Sequence, residues 1–467
     1  MATITQNADT LAGDLVSLFL TAAKATTQRL QACQWPFTLP IVQTIIKRDR
    51  RNSGDAWKTD TSEVQQNILA SEGVGLYRIA PLLSDTVIVS LQCCATELVN
   101  DAQSKLPFWS VFEGKGWMLI RGASDPPLPS TDYKGDAGDW TMRRVVLPAL
   151  FKHLADLPSV AAATVDDAER FAADVLQVAR DDQLLYRATV PLAGLDFKGP
   201  QNAILQSGNV TIRRLSPSER GTLVSDWGIT TPGAGQFTTL PLVALQMDIS
   251  APRDRQNPDA GEHIAPWLCV LQLLGYSISG YNAWVEALPE WAMPTRSGVP
   301  LTLPQRCSKF SVLSESGLQK VGATVAKLRR YHITEPASVH DLALHRFCTG
   351  KARQAPVDSV LDFVIALESL LLPYDETARH ADLGYRFRMH GAHYLAKTRK
   401  DRTEIAKQLS ALYGMRSRLV HGGRYPTPAE IADSRVIAEE LARRGLLRAV
   451  QEGFPTPAQF KHMLLGV

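Results

Sequence analysis

An arginine and a histidine five positions apart, Arg416 and His421, stand at the end of a helical stretch that stops at Gly422 and Gly423. Together these residue types can cleave RNA by acid–base chemistry. A base takes the proton of a 2′-OH, an acid protonates the departing 5′ oxygen, and arginine stabilises the charge that builds on the phosphate. RNA carries its own nucleophile in the 2′-OH, so the scheme needs neither metal nor bound water. The glycines supply a left-handed helix stop, and Pro426 follows closely. His421 therefore lies in the last turn, where the negative end of the helix dipole favours an imidazolium. An Arg and a His at this spacing occur by chance in many proteins, so the pair takes its meaning from its surroundings.

Two helices must position these groups. In EIAKQLSALYGMRSRLV (404–420) the apolar stripe runs Ile405, Leu409, Leu412, Met415 and Leu419, and Arg416 falls four after Leu412 and three before Leu419. Side chains three and four apart share a face, so the guanidinium is projected toward the core or its edge. In VDSVLDFVIALESLLL (357–372) the stripe Val357, Leu361, Val364, Ile365, Leu371 and Leu372 carries Glu368 with it. Leaving either charge buried and unpaired would cost roughly 3–5 kcal/mol. Either Glu368 and Arg416 meet, or Arg416 faces a cleft where an anion or a second chain neutralises it. Glu368→Gln is then expected to destabilise the helices or misplace Arg416.

The string LYGMRSRLVHGG (412–423) closely resembles the signature of HEPN domains, in which an Arg, a polar residue, a few spacers and a His end a helix. Arg416 matches the arginine, Ser417 the polar position and His421 the histidine. LDFVIALESLLLP (361–373) resembles the first core helix of that family, with its recurrent acid at Glu368. LGYRFRMHGAHYL (383–395) is similar to the Arg-bearing second helix of the Apea-like branch. The resemblance covers about the last quarter of the chain. It implies a four- or five-helix bundle and a homodimer that places two such motifs across a two-fold axis. It implies a metal-independent endoribonuclease, without cofactor, leaving 2′,3′-cyclic phosphate ends, as in toxin, abortive-infection or antiphage systems. Arg416 and His421 would be catalytic, Glu368 and Ser417 supporting, and Arg418, Arg424 and Arg388 placed to bind RNA. Arg418 competes with Arg416, although its spacing to His421 fits the pattern less well. Some family members lack activity and act as scaffolds binding RNA, nucleotide or a partner protein. VPLAGLDFKGPQNAILQSGNVTIRRLSPSE (190–219) is similar to the N-terminal halves of Apea-like proteins, where a variable region would sense a trigger, such as one derived from phage, or restrain the nuclease.

The chain has 467 residues, 45% hydrophobic and 21% charged, which is too long for one typical core and too apolar for disorder on the scale of domains. No apolar run reaches the roughly 18–20 residues that span a bilayer, and Met1–Leu30 lacks the pattern of a secretory leader, so a cytoplasmic protein is expected. The six cysteines form no C-x-x-C pair, which points to reduced thiols and disfavours zinc. His340 with His345, and His390 with His393, are the nearest approach to metal-ligand spacing, and no metal site is expected from either. P-loop, dinucleotide-binding, H-E-x-x-H and G-x-S-x-G patterns are absent. Net charge is +3, yet residues 376–450 hold 15 Lys/Arg against 8 Asp/Glu, which leaves −4 for the remainder. A local basic surplus is a weak footprint for a polyanion; a solvated basic helix surface would look the same.

Residues 9–32 predict a helix through Leu11, Leu15, Leu18, Phe19, Ala22 and Ala23. The polar stretch 46–62 predicts a loop, as does 253–261. Strands are predicted at 116–121, 185–192, 209–215 and 238–249, with helices at 142–155, 166–180, 262–276, 312–331 and throughout the chain after 338. The strands and helices do not alternate regularly, so the expectation is an irregular α+β N-terminal region followed by an all-α bundle. The segments are placed at 1–180, 181–335 and 336–467, the last boundary at the turn-like EPAS (335–338).

Overall fold

Leu11, Leu15, Leu18, Phe19, Ala22 and Ala23 are all buried, on one face of helix α1 (Ala2–Ala32), as their period predicts. The computed structural model describes residues 2–32, 38–49, 56–67, 85–100, 146–198, 204–226, 241–252, 260–280, 282–289, 291, 297–304, 310–373, 382–422 and 424–465. The strand expected at 116–121 lies outside them. Helix α1 packs against α2 (Asp85–Asn100) and, beyond α3 (Leu147–Asp156), against α4 (Val165–Arg180), where Phe19 and Phe171 have ring centroids 5.3 Å apart. Thr164 and Asp167 form a reciprocal capping box that starts α4.

The stretch expected to be a loop at 46–62 is instead largely an antiparallel ribbon. Strands β1 (Thr38–Asp49) and β2 (Ala56–Asn67) pair in register from Thr38 with Asn67 to Asp49 with Ala56. Pairing between two strands is not recorded in composition, so the polar side chains of the ribbon read as a loop.

Strands β3 (Gln183–Leu192), β4 (Leu195–Phe197), β5 (Ile204–Ser207) and β6 (Val210–Arg214) are followed by α5 (Pro217–Asp226) and β7 (Val243–Pro252). Helix α6 (Ala260–Leu273) then leads to β8 (Asn282–Leu288), β9 (Ser297–Pro300) and β10 (Ser311–Leu313). Six of these make an antiparallel sheet in the order β5-β6-β7-β3-β8-β9, and β4 pairs with β10 in parallel. The predicted strands at 185–192 and 209–215 fall on β3 and β6, and the C-terminal part of 238–249 falls on β7. Helix α7 (Glu315–Leu328) closes this region.

Beyond it the described chain is helical: α8 (Val339–Ala352), α9 (Pro356–Leu371), α10 (Leu383–Leu395), α11 (Arg399–His421), α12 (Pro428–Glu452) and α13 (Pro457–Leu465). These are six helices rather than four or five, the last only nine residues long. Helix α8 begins with a side-chain cap at Ser338. The Ser338 hydroxyl accepts from the Asp341 N–H, and the buried Asp341 carboxylate accepts from the N–H groups of His332 and Ala337. The C-terminal helices are tied to the sheet-bearing part by side chain to carbonyl bonds, Arg443 donating to Leu273 O at 2.9 Å and Lys327 to Gln451 O at 3.2 Å.

Helix α10 approaches α9 and α11 closely at Gly391. A methyl group there would overlap Leu409 and come within 2.9 Å of Leu371, and both leucines are fully buried. Gly391→Ala is expected to destabilise the chain by about 1–3 kcal/mol, read as a lower urea midpoint, because neither leucine has free space to move into.

Candidate functional site

Helix α9 places Glu368, but on a different face from the one its periodicity suggested. Its core side is Val360, Phe363, Val364, Leu367, Leu370 and Leu371, while Val357, Leu361, Ile365 and Leu372 are only half-buried. The helix is apolar nearly all round, so spacing alone does not select one stripe. Glu368 lies on the flank, with its side chain 20% exposed, and Arg416 of α11 meets it there at 31% exposure. The Nε–Oε1 distance is 3.1 Å. On α11 itself the predicted stripe holds: Ile405, Leu409, Leu412 and Met415 are buried and Leu419 is half-buried.

Burial pushes the Glu368 carboxyl above the usual range, and the charge of Arg416 only partly opposes this. The folded chain therefore holds this proton more tightly than the unfolded chain does. Stability from this group falls as pH rises from the ordinary glutamate value through the raised one. Glu368→Gln mimics the protonated form. At neutral pH it is expected to be at least as stable as wild type, with the difference vanishing in acid, as read by urea unfolding at both pH values. The expectation from sequence was destabilisation or displacement of Arg416, and the buried carboxyl makes displacement the outcome expected here. A glutamine variant less stable than wild type at neutral pH would mean that the ion pair outweighs burial.

His421 is the last residue of α11 and is exposed. Gly422 follows with φ of 85°, a conformation that strains any residue bearing a Cβ, so the helix stops where the glycine was expected to stop it. The return into α12 is anchored. Pro426 is buried, Thr427 and Glu430 form a capping box, and Arg418 reaches Glu430 at 3.5 Å. The Thr427 N–H holds the Glu430 carboxyl below its usual range. Arg418 is thus engaged with the first turn of α12.

The structure brings Glu368 and Arg416 together but does not bring His421 to Arg416 within one chain. At 3.6 residues per turn, side chains five apart leave a helix roughly 140° apart around its axis. Ser417 and Arg424 are exposed beside them. Arg388 is half-buried on α10 and donates to Gly384 O at 3.3 Å. Part of the basic surplus of this segment is bound to one helix end. Arg402, Arg444 and Arg448 donate to Ala396 O, Leu395 O and Tyr394 O, the carbonyls that α10 leaves without partners.

The histidine pairs are used in packing. His390 is buried, bonded to Leu371 O at 2.7 Å and stacked on Phe460, and its burial lowers its pKa. His340 stacks on Phe454. Among the described cysteines, Cys94, Cys269 and Cys348 are buried free thiols and Cys93 is an exposed one; Cys33 and Cys307 lie outside the described residues. Burial pushes the Cys94 thiol up to about 12. No helix among the described residues is long and apolar enough to cross a membrane.

Sequence reasoning missed a second charged cluster on the same helix. Asp362 of α9, buried, accepts from Arg346 at 2.8 Å and Arg353 at 2.9 Å, locking α8 to α9. Its signal was a carboxylate six before Glu368 inside an apolar run, with basic residues flanking the preceding turn. No family model, curated protein or solved structure matches the chain.

Proposed function

We propose that the chain is a metal-independent endoribonuclease of the HEPN kind, acting as a homodimer in the cytoplasm as a toxin or antiphage effector. Its N-terminal region restrains it or senses a trigger. The observation that carries the reading is the tip of α11. The last residue of α11 is an exposed His421, and a part-buried Glu368 contacts Arg416 five residues earlier. The contact engages Arg416 at its Nε, and the guanidinium fork has further N–H donors with which to hold a phosphate. Val420 and Tyr425, 52% and 66% exposed, bracket His421 and offer apolar surface to a second copy. A two-fold partner would supply what one chain separates, an arginine and a histidine facing one phosphate.

His421 acts on the proton of the 2′-OH or the leaving oxygen, and Arg416 neutralises the phosphate as charge builds. The purified chain is expected to cut RNA at the same rate in EDTA as in magnesium. Loss of cleavage with chelator, restored by magnesium or manganese, would contradict the scheme. A second reading, a helical scaffold that binds RNA, nucleotide or a partner without cutting, draws support from the Glu368 contact, since the same ion pair would serve a purely structural arginine. Intact binding with no cleavage of any RNA would favour it.

A further inference from the structure

The end of α10, with the residues that follow it, and one face of α12 line a cleft of about 290 Å³. Arg444, Arg448 and Glu452 stand four apart on α12 and so share that face. Tyr394, Leu395 and Lys397 line the other side. Both guanidiniums are held by carbonyls that α10 leaves open at its end. Arg444 Nη2 donates to Leu395 O at 2.9 Å, and Arg448 Nη1 donates to Tyr394 O. Arg448 also donates through Nε to Glu452 at 2.7 Å and lies 4.6 Å over the centre of the Tyr394 ring.

The lining carries three cations, Lys397, Arg444 and Arg448, against one carboxylate, Glu452. Glu440, one turn before Arg444, is taken up by Arg443, which binds its two oxygens at 2.8 and 2.9 Å. The carbonyls at the end of α10 offset part of the positive charge without exhausting the donors. A guanidinium has five N–H groups, and these contacts engage one of Arg444 and two of Arg448. Anchoring the arginines on carbonyls sets the plane of each fork before a ligand arrives, which lowers the ordering cost of binding. Lys397 is exposed, one residue before the Thr398 cap of α11. Cations on two sides of one cleft fit an anion whose oxygens point in several directions, as those of a phosphate do and the planar pair of a carboxylate does not.

We propose that the cleft between the end of α10 and α12 is a binding site for a phosphate group, carried by a mononucleotide or by a polynucleotide backbone, with Arg444 and Arg448 on one side of it and Lys397 on the other. The site is distinct from the tip of α11. Lys397 precedes the first turn of that helix and His421 ends it, and 23 residues at 1.5 Å each put roughly 33 Å between them. The inference is independent of RNA cleavage, and its test uses different residues.

The test is titration calorimetry of the full chain with inorganic phosphate, AMP and a 2′-O-methyl RNA oligomer, which lacks the free 2′-OH that cleavage needs, and with adenosine as the neutral control. At least one phosphate-bearing probe is expected to bind at millimolar concentration or below, more weakly as salt is raised, and adenosine is expected not to bind. Binding of AMP and phosphate assigns a mononucleotide, and binding of the oligomer alone assigns a polynucleotide backbone. Lys397→Glu is expected to weaken binding about tenfold, the scale of one charged hydrogen bond, and because the lysine is exposed its Tm should stay within about 1 °C of wild type. Arg444→Gln, which keeps an amide N–H for Leu395 O, is expected to weaken binding to a similar degree. Arg416→Ala controls for the tip of α11. A loss of binding there, with none in Lys397→Glu or Arg444→Gln, would place the anion at the tip and overturn the proposal. Adenosine binding as tightly as AMP, or no binding of any phosphate-bearing probe, would overturn it as well.

Discussion

His421→Ala is expected to slow RNA cleavage by the purified chain by roughly 10²–10⁴-fold, the usual contribution of a positioned proton-transfer group. The histidine is exposed at a helix end, so its loss removes no buried contact and Tm should stay within about 1 °C of wild type. Exposure also leaves room for rescue. Added imidazole should restore part of the lost rate in the alanine variant and none in wild type. A variant that cuts as fast as wild type would remove the histidine from the mechanism.

Arg416→Ala is expected to cost roughly 10²–10³-fold in rate, on the scale of removing one preorganised donor to a developing oxyanion. Arg416→Lys should recover little, because an ammonium cannot offer Glu368 and a phosphate the planar fork that a guanidinium offers both. The alanine variant leaves Glu368 without its counter-charge, and its already raised pKa lets it take up a proton instead, so the fold should survive. The separation of Arg416 from His421 around α11 makes a sharper test possible. If each site takes its arginine from one chain and its histidine from the other, an equal mixture of the two alanine variants regains about a quarter of wild-type activity, since half the dimers carry one complete site. A mixture as inactive as its components would place both residues in one chain's site or in none.

Much of what positions α11 is legible in the sequence because it is local. The stripe Ile405, Leu409, Leu412 and Met415 stands out against polar neighbours, and Gly422 ends the helix through a conformation that glycine favours. The meeting of Glu368 and Arg416 was one of two ways to satisfy both charges, and the pair at 3.1 Å selects it. Other features depend on partners far away in the chain. Helix α9 is apolar nearly all round, so which residues face inward is decided by α8 and α12 packing on it, and its spacing misdirects. The ribbon β1–β2 reads as a loop because pairing, which composition does not record, makes it a sheet. The basic surplus after 376 suggested a polyanion surface, yet Arg402, Arg443, Arg444 and Arg448 are bonded to backbone carbonyls, contacts that need the tertiary fold to exist.

Total RNA and tRNA digested in EDTA, with the new ends identified chemically, distinguish the acid–base scheme from its alternatives. The wild-type chain is expected to leave 2′,3′-cyclic phosphate and 5′-hydroxyl ends, and His421→Ala at equal concentration to leave the RNA intact. Ends bearing a 5′-phosphate, or the same fragments from the alanine variant, would contradict the scheme.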